Sequence, residues 1–111
     1  MSSKLERHAE QLAALGSPVR LTIIRHIVQG DPQGTAVGDI HAKLGIPWST
    51  LSHHLEKLRR EDLVRSRRDR QFIWYTANLE AVAELHTFLY EECCARSAAP
   101  AQLISLEGKQ L

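Results

Sequence analysis

Cysteine is nearly absent from this 111-residue chain, which has two, adjacent at Cys93 and Cys94. Sequence neighbours cannot staple a small fold, so a disulfide framework is excluded and a reducing, cytoplasmic setting is expected. No apolar run approaches the roughly 18 residues that cross a bilayer. The opening MSSKLERHAE lacks the apolar core of a secretory signal, so no membrane partner is expected. A glycine-rich phosphate loop, a metal triad and a nucleophile with a base and an orienter are all missing, which argues against an enzyme. Repeats and low-complexity tracts are absent as well. A chain this short makes one domain with a small core, and such domains often gain stability by pairing.

A net charge of +1 is equally thin, until it is divided along the chain. Residues 40–75 hold eight Lys/Arg against four acids, giving +4, while residues 76–111 hold two against five glutamates, giving −3. The positive field is gathered on one stretch, which is the footprint expected of a nucleic-acid binder.

Periodicity supplies the elements. Ser3-Lys4-Leu5-Glu6 reads as a capping box, and Leu5, Ala9, Leu12 and Leu15 predict one buried helix face running to Leu15, with a stop at Gly16. Ser17-Pro18 restarts a helix with a cap and a proline at its first position. Val19, Ile23, Ile24, Ile27 and Val28 are its expected buried stripe, and 30–34 is a turn. A short helix over 37–44 ends at Gly45, and the next, 47–61, buries Leu51, Leu55 and Leu58; the junction has helix-turn-helix spacing. Residues 63–68 and 71–76 predict a β-hairpin. Asn78 caps a last helix, from 79 to about 96, with Val82, Leu85, Phe88 and Leu89 apolar. The expected fold is mainly α with a β-hairpin wing (α+β), a winged helix-turn-helix in the order α-α-α-α-β-β-α.

Within that frame Ser49, Thr50, Ser52 and His53 occupy the first turns of the fourth helix, the part that reaches base edges. Ser52 and His53 are assigned to bases, and Ser49 and Thr50 to phosphates or bases. His54 falls toward the flank. The plain alternative is a solvated helix face. A zinc site at His53-His54 is argued against, because adjacent side chains diverge by about 100° on a helix. Arg65, Arg67, Arg68 and Arg70 crowd the hairpin. Strand alternation prevents all four from facing DNA, so Arg67, Arg68 and Arg70 near the tip are preferred and at least one of the four is simply solvated. The turn at Asp69-Arg70 lacks glycine, which predicts a looser or wider wing.

Three stretches carry a resemblance: ALGSPVRLTIIRHI, VGDIHAKLGIPWSTLSHHLEKLRREDLVRSRR and FIWY. Together they resemble the ArsR/SmtB family of bacterial metal- and stress-responsive repressors, over roughly residues 12–94. The resemblance implies a homodimer built through the first and last helices, bound to double-stranded operator DNA and released by an effector. On this reading 1–96 form the DNA-binding and dimerisation domain and 97–111 a partly ordered C-terminal tail. Two positions depart from the family pattern. Pro47 stands where a capping Ser is common, and Trp48 follows it. Trp48 either packs on the preceding helix or meets the sugar-phosphate edge.

The resemblance also bears on sensing. Some arsenic-responsive members carry a cysteine pair near the end of the last helix, which makes Cys93 and Cys94 a candidate metal site; plain packing is the alternative. No cofactor is required, and the effector implied is As(III), methylated As(III) or Sb(III), since soft thiolates favour such ions. Neighbouring thiols diverge on a helix, so joint chelation needs the last turn to unwind, and arsenite needs a third ligand. The third-helix cysteine motif of the family is replaced by Ala36 and Gly38, and His86 is the one histidine of the last helix. Regulation by another ligand, by cysteine oxidation or by none stays open. So does a different class, a winged-helix module that docks proteins.

Overall fold

The computed structural model describes residues 3–93. The chain divides into two compact units, Met1–Leu79 and Glu80–Leu111. The elements are α1 (Lys4–Leu15), α2 (Pro18–Gln29), β1 (Thr35–Ala36), α3 (Val37–Leu44), α4 (Trp48–Arg60), β2 (Val64–Asp69), β3 (Phe72–Ala77) and α5 (Leu79–Cys93). The expected order holds, with a two-residue β1 added. The strands form an antiparallel sheet in the order β1-β3-β2. Thr35 pairs with Tyr75 and Ala36 with Trp74.

α1 starts at the anticipated capping box: Ser3 Oγ accepts from the Glu6 N–H, and the Glu6 carboxylate accepts from the Ser3 N–H, both at 3.1 Å. Its buried face is not the one the periodicity predicts. His8, Gln11 and Ala14 are buried, while Leu5 is 63% and Leu12 39% exposed. The reason is polar pairing with the end of α4. Gln11 Nε2 donates to the Glu61 carbonyl at 3.1 Å, and Gln11 Oε1 lies 3.0 Å from His8 Nδ1. Arg7 adds an exposed ion pair to Asp62 at 3.0 Å.

α2 buries Ile23 and Ile27 as read, while Val19 and Ile24 are half-buried and Val28 is half exposed. Leu51, Leu55 and Leu58 of α4 lie in the core beside Ile23, Ile40, Leu63 and Val64. Each such side chain contributes about 1.5–3 kcal/mol by leaving water, so this face of α4 cannot rotate out cheaply. α4 closes in a Schellman arrangement. The Leu63 N–H reaches the Leu58 carbonyl and the Asp62 N–H the Arg59 carbonyl, both at 3.0 Å. Asp62 takes the left-handed position usually given to glycine, with φ 62°.

The hairpin differs from expectation. Asp69 pairs with Phe72, so Arg70 and Gln71 make a tight two-residue turn, one residue later than read and neither loose nor wide. Arg70 accepts φ 62°, at a cost of about 1–2 kcal/mol. The aromatic and β-branched ladder of Phe72, Ile73, Trp74 and Tyr75 outweighs that strain. Of α5, Ala81, Leu85 and Phe88 are buried and Val82 and Leu89 half-buried. Among the described residues no helix is long and apolar enough to cross a membrane.

Candidate nucleic-acid interface

α3 stops at Gly45, whose φ of 67° and N–H bond to the His41 carbonyl (2.8 Å) form a left-handed cap. Gly45, Ile46 and Pro47 then turn the chain into α4. Pro47 is the N-cap and offers no side-chain hydrogen bond. The first-turn N–H groups of α4 are therefore left to solvent or to an anion, a consequence of the missing cap serine that the sequence reading did not draw.

With Leu51, Leu55 and Leu58 fixed inward, the opposite side of α4 is presented outward. Ser49, Thr50, Ser52 and His53 are all exposed there. The structure thus brings the four sequence-chosen residues together on the open face of one rigid helix. Trp48 stacks on His41 of α3, ring centroids 3.8 Å apart and 4° from parallel, with about half its surface still open. Of the two readings for Trp48, packing on the preceding helix is what is observed. The stack clasps the end of α3 to the start of α4.

His54 lies at the flank, as read. The Arg20 guanidinium of α2 stands 3.0 Å from His54 Nδ1, and its Nε donates to the Ala14 carbonyl at 2.6 Å. Arginine only donates, so Nδ1 accepts and the imidazole is neutral. Burial, then the Arg20 charge, then His53 hold the His54 pKa below its usual value. Arg20 therefore straps α4 to the end of α1 and is a positioning residue that the sequence reading missed.

The wing sorts its arginines by face. Residues opposite each other across antiparallel strands share a face: Arg65 and Arg67 lie with Thr76 and Trp74, Ser66 and Arg68 with Tyr75 and Ile73. Tyr75 feels the charges of Glu56 and Arg59 on α4, and burial, the larger effect, pushes its phenol up. The Arg68 face is consequently the one turned toward α4. Arg67 is held on the other face, its Nη2 donating to the Gln33 carbonyl at 2.9 Å and its guanidinium 5.5 Å from the centre of the Trp74 ring. Arg68 and Arg70 are exposed, and among the described residues neither has such a tether. Phe72, beside the turn, is 51% exposed, an aromatic at the wing tip that the sequence reading passed over. On α4, Arg59 is taken up by a two-pronged contact with Glu56 at 2.9 and 2.7 Å. That pair, with a smaller contribution from the Arg60 charge, lowers the Glu56 pKa.

Cys93 is an exposed free thiol at the end of α5. Cys94 and the tail 97–111 lie outside the described residues. His86 is exposed. Among the described residues no group of three or more His, Cys, Asp or Glu is placed to hold a metal ion.

A "Helix-turn-helix domain" family model matches residues 15–67. The chain is 40% identical over 74 residues to the nodulation protein NolR of Rhizobium meliloti, an alignment covering 67% of this chain and 58% of that protein. The chain therefore spans less than two thirds of that relative. It is 32% identical over 96 residues to the biofilm growth-associated repressor of Xylella fastidiosa, covering 86% and 82%. The crystal structure of NolR from Sinorhizobium fredii superposes with a TM-score of 0.64 at 38% identity, over 79% of this chain and 85% of that one. An ArsR family transcriptional regulator matches in fold, with a TM-score of 0.71 at 15% identity, over 83% and 92%. The matched segment 15–67 takes in all of α4 and the start of β2, and the chain belongs to the ArsR/SmtB-like family of winged helix-turn-helix transcriptional regulators, which are not enzymes.

Proposed function

We propose that the chain is a homodimeric repressor that binds double-stranded operator DNA through α4 and the wing. It leaves the operator when a thiophilic effector, a trivalent arsenical or antimonite, is taken by Cys93 and Cys94. The observation that carries the DNA reading is the start of α4. Four small hydrogen-bonding side chains, Ser49, Thr50, Ser52 and His53, stand exposed on a helix whose other face is locked by three buried leucines. That is the arrangement that enters a major groove. Arg68 and Arg70 supply the phosphate contacts, and Arg67 stiffens the wing.

Pairing is supported by the outward leucines of α1, Leu5 and Leu12, which a partner helix would cover. The effector reading is supported by the exposed Cys93 thiol beside a second cysteine in sequence. Uptake by thiols releases protons, so it weakens as pH falls.

The test is fluorescence anisotropy on labelled promoter duplex, with arsenite, methylarsenite or antimonite added to wild type and to Cys93→Ser/Cys94→Ser. Release in wild type and retention in the double variant are expected. Release that persists without the thiols removes the cysteine mechanism and leaves the DNA reading standing. Duplex binding that survives charge reversal at Arg68 and Arg70 would instead favour a protein-docking module.

A further inference from the structure

Of the large apolar side chains that stand exposed among the described residues, Trp48 alone belongs to α4. A single exposed apolar residue needs no explanation on an ordinary surface, but this one opens the helix that carries the reading residues. His41 covers one face of its ring, with centroids 3.8 Å apart and planes 4° from parallel, and 51% of the residue stays open. A parallel neighbour shields one side of a flat ring, so the open surface is mainly the opposite face and the rim. The stack also fixes the indole. A free Trp would give up rotamers on meeting a ligand, whereas this ring is already placed, so covering its free face costs little further order.

The position of the ring says what it meets. Trp48 is the first residue of α4, and the N-terminal residues of such a helix reach base edges in the major groove. Trp48 and Ser52 are four residues apart, so they share one side of α4, and Ser52 is exposed. Four helical residues advance about 6 Å and one base pair about 3.4 Å. Trp48 therefore falls one or two base pairs from the pair that Ser52 meets. Ser49, Thr50, Ser52 and His53 can donate or accept hydrogen bonds but offer little apolar surface. The apolar group displayed on base edges in that groove is the C5 methyl of thymine, and 5-methylcytosine presents the same group at the same place.

We infer that Trp48 is a specificity-determining residue whose free face packs on a pyrimidine 5-methyl group in the major groove, with His41 holding the ring from behind. The inference rests on the DNA reading above and adds to it the class of base that α4 selects. Small hydroxyls and an imidazole read sequence weakly beside a bidentate Arg or Asn, so an apolar contact held in one geometry supplies discrimination that they lack.

The experiment uses the whole chain and a labelled promoter duplex. Across one half of the duplex each thymine is replaced singly by deoxyuridine, which lacks only the methyl, and each cytosine by 5-methylcytosine, which gains it. Anisotropy titrations should find a position at which the methyl tightens binding about fourfold. 5-Bromouracil at that position, its bromine in the methyl's place, should cross-link on near-ultraviolet irradiation, and mass spectrometry of the digest should place the link on Trp48. In Trp48→Gln the methyl effect should vanish; if that variant no longer binds, the cross-link, which needs no variant, decides. A scan with no methyl-sensitive position overturns the inference. So does the lack of a link, a link on the wing or on Ser49 to His53, or an undiminished methyl effect in Trp48→Gln. Binding without methyl sensitivity sinks this inference alone, whereas failure to bind any duplex sinks the DNA reading with it.

Discussion

Replacing Arg68 by alanine should flatten the salt dependence of DNA binding by a countable amount. Arg68 is exposed and shares the hairpin face of Ser66 and Tyr75, the face turned toward α4, whereas Arg67 is tied to the Gln33 carbonyl and the Trp74 ring on the other face. Each neutralised phosphate contributes about 0.9 to the slope of log affinity against log salt. The proposed dimer carries the substitution twice, so its slope should fall by about 1.8. Between 50 and 200 mM salt that is about a 12-fold smaller loss of affinity than wild type shows. Anisotropy titrations on one labelled duplex at several salt concentrations measure it. Arg67→Ala should leave the slope near the wild-type value while loosening the wing. A slope change of about 0.9 would mean that one wing of the pair touches DNA. An unchanged slope for Arg68→Ala, or equal changes for both variants, would refute the sorting of the wing by face.

Two further expectations concern the frame behind the reading helix. Gln11→Leu strips the bond to the Glu61 carbonyl and removes the contact between Gln11 and His8 Nδ1. Stability should fall by about 1–3 kcal/mol, seen as a lower urea midpoint at unchanged m; a midpoint that stays or rises contradicts it. His54 supplies a pH dependence. Its folded pKa lies below the ordinary 6.5, so the unfolded chain takes the proton first and acid favours unfolding. The contribution is intact above about 6.5, declines as pH falls through that value, and levels off below the folded pKa. Urea midpoints across this range should show the decline in wild type and less of it in His54→Gln; identical profiles would rule it out.

Much of this was legible in the sequence for definite reasons. Helix limits carry their own chemistry, the capping box at Ser3, the Ser17-Pro18 start and the left-handed stop at Gly45, and all three stand where they were read. The leucines of α4 fixed its inward face and so exposed Ser49, Thr50, Ser52 and His53. What escaped had no local signal. β1 is two residues long, too short for any period, and exists only through its pairing with Trp74 and Tyr75. The apolar stripe of α1 marks a surface for burial but not by which chain, so the helix turned out to hide His8 and Gln11 instead. The wing turn moved by one residue because cross-strand pairing, not the residue preference of the turn, set the register. Arg67 and Arg68 are adjacent and alike in sequence; only the partners across the ladder tell them apart.

The far end of α4 is fastened twice to α1, by Gln11 on the Glu61 carbonyl and by Arg7 on Asp62. Thirteen helical residues span about 20 Å, so α4 is a stiff arm with its handle at one end and its probe, Ser49 to His53, at the other. A tilt of α1 by a few degrees is thereby delivered to the probe as a displacement of an ångström or so, on the order of a hydrogen bond's tolerance. Whatever grips the outer leucines of α1 holds that handle.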